Sequence, residues 1–230
     1  MTVPGVPGQQ VAARVPAADG GAAVTYLLYL PAAYRPAPAP AWPLMVFLHG
    51  AGERGSDLSL VARHGPPKRV GDRADFPFVL AAPQCPAGAV WDPGRVLAVT
   101  DHVRRALNVD PERIVLTGLS LGGHGVWATA AARPDGFAAL MPVCGCGDPA
   151  TAPSLRHLPV WLFHGADDEV VPVSGSVRMA EALEAAGGRV RLTVFPGIGH
   201  DSWTRVYAMP EVYDWLLAQR RLDDSGGSAG

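Results

Sequence analysis

Three short segments hold the residues whose types and spacing point to a reaction. Ser120 stands in Gly118-Leu119-Ser120-Leu121-Gly122, Asp168 in His164-Gly165-Ala166-Asp167-Asp168-Glu169-Val170-Val171-Pro172, and His200 in Gly197-Ile198-Gly199-His200-Asp201-Ser202-Trp203. A serine hydroxyl is a weak nucleophile at neutral pH, so it needs a base, and the base needs a carboxylate to orient its ring. The chain supplies all three in the order serine, aspartate, histidine. An apolar run, residues 114–117, precedes Gly-x-Ser-x-Gly and an alanine-rich helical segment follows, which puts the serine on a strand-to-helix turn. Small residues on either side let such a strained turn close. The helix that starts there aims its first N–H groups and its positive dipole end at the reaction centre.

Asp167 competes with Asp168 for the acid, but against the pattern His-Gly-x-x-Asp-x-x-Val-Pro it is Asp168 that falls on the fixed position. Of the seven histidines, His64, His102 and His157 read as surface or packed residues, whereas His200 sits among glycines after the last apolar run. A tetrahedral oxyanion needs backbone N–H donors already in place. One is expected at Leu121, directly after the serine, and the other at Ala51 in His49-Gly50-Ala51-Gly52-Glu53-Arg54-Gly55, whose glycines let the chain turn inward. That loop has neither the Gly-x-x-x-x-Gly-Lys-Ser/Thr of phosphate-binding loops nor Gly-x-Gly-x-x-Gly. The predicted chemistry is acyl transfer to water, with no metal or organic cofactor. Glu53 and Arg54 form an ion pair that fixes the loop, or Arg54 meets a substrate carboxylate. Trp91, Trp203 and the Gly65-Pro66-Pro67 turn are candidate substrate walls, with core packing or loop rigidity an equal reading. Cys144-Gly145-Cys146 is spaced too tightly for ordinary structural zinc.

The elements that must position these residues follow from hydrophobic patterning. Eight apolar runs, at 10–15, 24–30, 44–49, 78–82, 114–117, 138–143, 160–164 and 190–195, read as strands. The first two alternate weakly, as an exposed antiparallel edge would, and the middle ones are continuous, as parallel strands covered on both faces require. Helical patterns at 96–108, 120–133, 174–186 and 209–220 alternate with the later strands, so the expected fold is α/β, a doubly wound, mostly parallel eight-stranded sheet. With 230 residues, 48% of them hydrophobic, one domain over 1–222 and a frayed tail at 223–230 are expected. Only residues 144–159 separate the sixth strand from the seventh, too few for a cap domain. Residues 50–77 are the longest excursion and should wall the serine, leaving an open site. Net charge is −2 and Lys68 is the only lysine, so there is no basic field for nucleic acid. No apolar stretch approaches the roughly 20 residues that span a bilayer. Three cysteines, without a secretory leader in the first fifteen residues, fit reduced thiols and the cytoplasm. A monomer or homodimer acting on a small ester is expected.

With elbow, acid, histidine and strand order in place, the chain resembles the α/β-hydrolase superfamily over almost its whole length. Phe47-Leu-His-Gly-Ala-Gly-Glu-Arg-Gly55, Phe78-Val-Leu-Ala-Ala-Pro-Gln-Cys-Pro86, Trp91 and Gly199-His-Asp-Ser-Trp203 look like the small serine esterases related to the phospholipase/carboxylesterase group and to the catalytic domain of prolyl oligopeptidases. The resemblance implies cleavage of carboxylic esters of short acyl chains or phenolic acids. It places the triad on Ser120, Asp168 and His200 and the oxyanion amides on Ala51 and Leu121. Dienelactone hydrolases are similar in shape but usually carry cysteine where this chain has Ser120. The propeller of a true prolyl oligopeptidase would not fit in this length. Relatives often have glycine near Cys146, so that thiol narrows the pocket or is open to oxidation. A thioesterase, lactonase or peptidase using the same triad, or a ligand-binding protein of the same fold, are the alternatives.

Overall fold

All eight expected strands form and join one sheet: β1 (Gln10–Val15), β2 (Val24–Tyr29), β3 (Trp42–Leu48), β4 (Val79–Pro83), β5 (Val109–Leu119), β6 (Ala139–Val143), β7 (Val160–Gly165) and β8 (Val190–Phe195). The computed structural model describes residues 5–16, 23–72 and 75–221; the tail expected at 223–230 lies outside them. Spatial order is β1-β2-β4-β3-β5-β6-β7-β8. β2 runs antiparallel to β1 and β4, and the remaining pairs are parallel.

The central strands are apolar on both faces because both faces are covered. In β3, Leu44, Val46 and Leu48 enter one core with Val96, Val99 and Val103 of α2 (Pro93–Ala106), while Met45 and Phe47 enter the other with Val212 and Leu216 of α7 (Pro210–Leu217). Each such side chain contributes about 1.5–3 kcal/mol on burial. The first core also takes α3 (Leu121–Ala132) and α5 (Ser174–Ala185), and the second takes α1 (Gly65–Asp72) and α6 (Trp203–Val206). A four-residue helix, α4 (Ala152–Leu155), lies between β6 and β7, and no large cap is inserted there.

Several expectations are corrected. β1 and β2 do form the antiparallel edge of the sheet, but β2 is buried rather than exposed, because it lies between β1 and β4 and sends Leu28 into one core and Tyr29 into the other. The Gly65-Pro66-Pro67 turn is instead the start of α1, where prolines are tolerated because first-turn N–H groups have no helical acceptor. β5 begins at Val109, five residues before the expected run, passing through Asp110-Pro111 and pairing Val109 with Trp42 across a register shift. α2 begins at Pro93, three residues early, with the Asp92 side chain accepting from Gly94 N–H at 2.8 Å.

Because β5, β7 and β8 are parallel, the segments after them emerge at one edge of the sheet. Those segments carry Ser120, Asp168 and His200.

Candidate active site

Ser120 occupies the tight corner between β5 and α3 at φ 53°, ψ −117°, a conformation L-residues rarely hold. The corner is closed by backbone-to-backbone contact. A methyl group on Gly118 would sit 2.6 Å from the Gly122 carbonyl oxygen, and one on Gly122 would sit 1.9 Å from the Leu48 carbonyl oxygen. Only glycine fits either place. The serine N–H donates to the Val143 carbonyl at 2.9 Å, which ties the corner to β6.

From this corner the Ser120 hydroxyl reaches His200 Nε2 at 2.9 Å, and His200 Nδ1–H donates to Asp168 Oδ2 at 2.7 Å. Asp168 is buried, and its other oxygen, Oδ1, accepts the N–H groups of Val170 and Val171 at 2.9 and 2.8 Å. Burial alone would raise this carboxyl. The bonds from His200, Val171 and Val170 overcome burial and hold it below the usual carboxylate range, so it is ionised at neutral pH. Asp167, the competing acid, is exposed. A hydroxyl, an imidazole and an ionised carboxylate in hydrogen-bonded sequence can move a proton off the serine oxygen.

Leu121 is the first residue of α3 and Ala51 opens a 3-10 turn (Ala51–Glu53), positions whose N–H groups have no intrahelical acceptor. The loop carrying Ala51 is held against the corner: a methyl group on Gly50 would lie 3.7 Å from Ser120 Cβ. His49 braces it from within. Its Nδ1–H donates to the Gly50 carbonyl at 2.7 Å and its Nε2 accepts the Cys85 N–H at 3.0 Å, so the neutral ring is required. Burial is the main cause that lowers the His49 pKa to about 4, with the Arg54 charge adding to it.

The remaining predicted residues take distinct places. Arg54 does not pair with Glu53. Its Nε–H and Nη1–H donate to the carbonyls of Ala51 and Ala89, both at 3.0 Å, stapling the loop. The buried Glu53 faces His64 instead, at 3.7 Å. Trp91 is only 6% exposed; it packs on Gly125 of α3 and donates its indole N–H to the His49 carbonyl at 3.1 Å, so the packing reading is the one realised. Trp203 lies edge-on to His200, 5.1 Å between centroids, and to His64, 5.8 Å, so the long excursion does reach the serine's side of the sheet. Cys144, at φ 41°, has its sulfur within 4.8 Å of donor atoms of Asp168 and His200. Burial pushes its pKa up to about 12, which keeps the thiol protonated against them. Sequence reasoning missed the bracing by His49 and a second buried histidine, His164, which contacts Asp168 at 3.1 Å. The i, i+4 spacing of His164 and Asp168 was the available signal.

Residues 98–217, a stretch that holds Ser120, Asp168 and His200, match the family model for phospholipase/carboxylesterase. The chain belongs to this family. Among curated relatives of this family member, a putative carboxymethylenebutenolidase of Salmonella typhimurium is 29% identical over 153 residues, 61% of this chain and 54% of that protein. An acyl-protein thioesterase 1 of Gibberella zeae is 32% identical over 118 residues, 47% of each chain. The chain thus spans about half the length of the curated relatives it matches. Among solved structures, a thermostable esterase superposes with TM-score 0.79 at 33% identity, over 92% of this chain and 63% of that one. A ferulic acid esterase, at 17% identity and TM-score 0.70 over 90% of this chain and 96% of that one, shares the fold. The fold and the family match together place the chain among the α/β-hydrolases of the phospholipase/carboxylesterase family. No helix among the described residues is long and apolar enough to cross a membrane.

Proposed function

We propose that the chain is a serine carboxylesterase that cleaves short-chain or aryl carboxylic esters. The observation that carries this reading is the unbroken line from Ser120 Oγ to His200 Nε2 and from His200 Nδ1 to Asp168 Oδ2, at 2.9 and 2.7 Å, on a turn that holds the serine at positive φ. Ser120 Oγ attacks the ester carbonyl while its proton passes to His200 Nε2. Asp168 keeps the ring in the tautomer that accepts this proton and stabilises the imidazolium. The amides of Leu121 and Ala51 receive the oxyanion. Collapse expels the alcohol, which takes the proton from His200 and leaves an acyl-serine. Water, deprotonated by His200, then attacks that acyl group; the acid departs as the Ser120 oxygen takes the proton back from His200, which restores the free serine. In this reading Arg54 and Trp91 hold the oxyanion loop from outside, and Trp203 is the wall beside His200.

The chain's short link between β6 and β7 supports an open site suited to small soluble esters. Its three free cysteines support a reducing compartment. The names of the curated relatives support a second arm, thioester or lactone cleavage by the same residues. A fluorophosphonate probe tests the nucleophile: wild type is labelled and Ser120→Ala is not. Labelling of both refutes the assignment. A panel of p-nitrophenyl esters of graded length, hydroxycinnamate esters, an acyl thioester and a lactone sets the substrate class, and higher kcat/KM on thioester or lactone than on every ester refutes the carboxylesterase reading.

A further inference from the structure

Behind the three residues of the proposed mechanism lies a second buried histidine. His164, on β7, is fully buried, and each of its ring nitrogens is engaged by a different element. Nε2 lies 3.1 Å from Asp168 Oδ2 and 2.8 Å from the Val171 carbonyl. Both oxygens only accept, so the proton resides on Nε2. Nδ1 then accepts the hydroxyl of Ser176, which lies 2.7 Å away in the first turn of α5 and is itself buried.

We propose that His164 and Ser176 are positioning residues for Asp168. The proposal rests on the triad reading above. Asp168 Oδ2 takes the Nδ1–H of His200 in front and shares the single Nε2–H of His164 behind with the Val171 carbonyl, while Oδ1 is held by two backbone N–H groups. Four donors on three segments leave the carboxylate a single orientation, with Oδ2 toward His200. Ser176 sets the tautomer: if Nδ1 kept the proton, Nε2 would turn a lone pair toward Asp168 Oδ2 and the Val171 carbonyl, both acceptors. A histidine that merely fills the core would need neither the carboxylate nor the serine.

The test compares His164→Gln with His164→Asn, since a glutamine amide reaches the Nε2 position and an asparagine amide the Nδ1 position. His164→Asn should lower kcat about 10–100-fold with KM little changed, the range expected when a partner behind a site residue is removed. His164→Gln should recover most of the activity. Ser176→Ala, which removes one hydroxyl, should shift the proton resonance of the His200 Nδ1–H while leaving the melting temperature near that of wild type. Equal losses in the Gln and Asn variants, tracking melting temperature, would make His164 a structural residue and overturn the proposal, as would an unmoved resonance in Ser176→Ala. Ser120→Ala separates the two levels. If it is inactive while the His164 variants behave as wild type, only the positioning role fails. If it still turns over, the triad reading fails.

Discussion

Asp168→Asn should cost about four orders of magnitude in kcat, and the structure shows by which route. Oδ1 of Asp168 accepts two backbone N–H groups, from Val170 and Val171, so an asparagine must place its carbonyl oxygen there. Its amide nitrogen then takes the Oδ2 position, 2.7 Å from His200 Nδ1, and presents hydrogen where an acceptor stood. His200 can keep a hydrogen bond only by carrying its proton on Nε2, which faces the Ser120 hydroxyl at 2.9 Å. A base protonated on the side that must accept cannot take the serine proton. Trapping the wrong tautomer in other Ser-His-Asp enzymes costs about 10⁴ in kcat, equivalent to about 5.5 kcal/mol at the transition state. KM should change little, because Asp168 is buried behind the ring. The assay is steady-state hydrolysis of p-nitrophenyl acetate, with near-ultraviolet circular dichroism to confirm folding and Asp167→Asn as the exposed neighbour control. A loss below about tenfold, or an equal loss in the control, refutes both the acid assignment and the tautomer argument.

Acid should destabilise the fold partly through His49. Its pKa falls from 6.5 unfolded to about 4 folded, so between those values the unfolded chain binds a proton that the native chain excludes. Stability therefore declines as pH drops from 6.5 to about 4 and levels off below, by on the order of 3 kcal/mol from this group. Urea unfolding of His49→Gln should show a flatter pH dependence over that window; the wild-type slope would refute it. Gly122→Ala should give inactive or unfolded protein, since its methyl group meets the Leu48 carbonyl at 1.9 Å, whereas Gly52→Ala, with nothing within 4 Å, should retain activity in the same ester assay. A thiol reagent at mildly alkaline pH should modify Cys146 before denaturation and Cys85 and Cys144 only after it, as counted by mass spectrometry, because only Cys146 is partly exposed.

The elbow was legible because its constraint is local: the glycines two before and two after Ser120 are there for contacts with the adjoining turn and strand, and the order of acid and histidine follows from parallel strands ending at one edge. The helix at Gly65–Asp72 was not, since Gly-Pro-Pro signals a turn wherever nothing else is known, and only the packing of Val70 into the second core reveals a helix behind it. The roles of Arg54, Trp91, His49 and His164 depend on which carbonyl, amide or carboxylate stands opposite them across distant segments. Residue type alone carries no record of that. Arg54 illustrates the point: its neighbour Glu53 offers the obvious ion pair, yet the turn directs the guanidinium to two carbonyls and the carboxylate toward His64.

Among the described residues, the two non-glycine positions with positive φ, Ser120 and Cys144, both lie at the serine corner, joined through the bond from the Ser120 N–H to the Val143 carbonyl. Such conformations cost roughly 1–3 kcal/mol each and persist only where surrounding structure imposes them. The fold thus gives up resistance to unfolding at the place where it gains reactivity, and a search for heat-tolerant variants that ignored turnover would be drawn to glycine at position 120, relaxing the turn and discarding the nucleophile together.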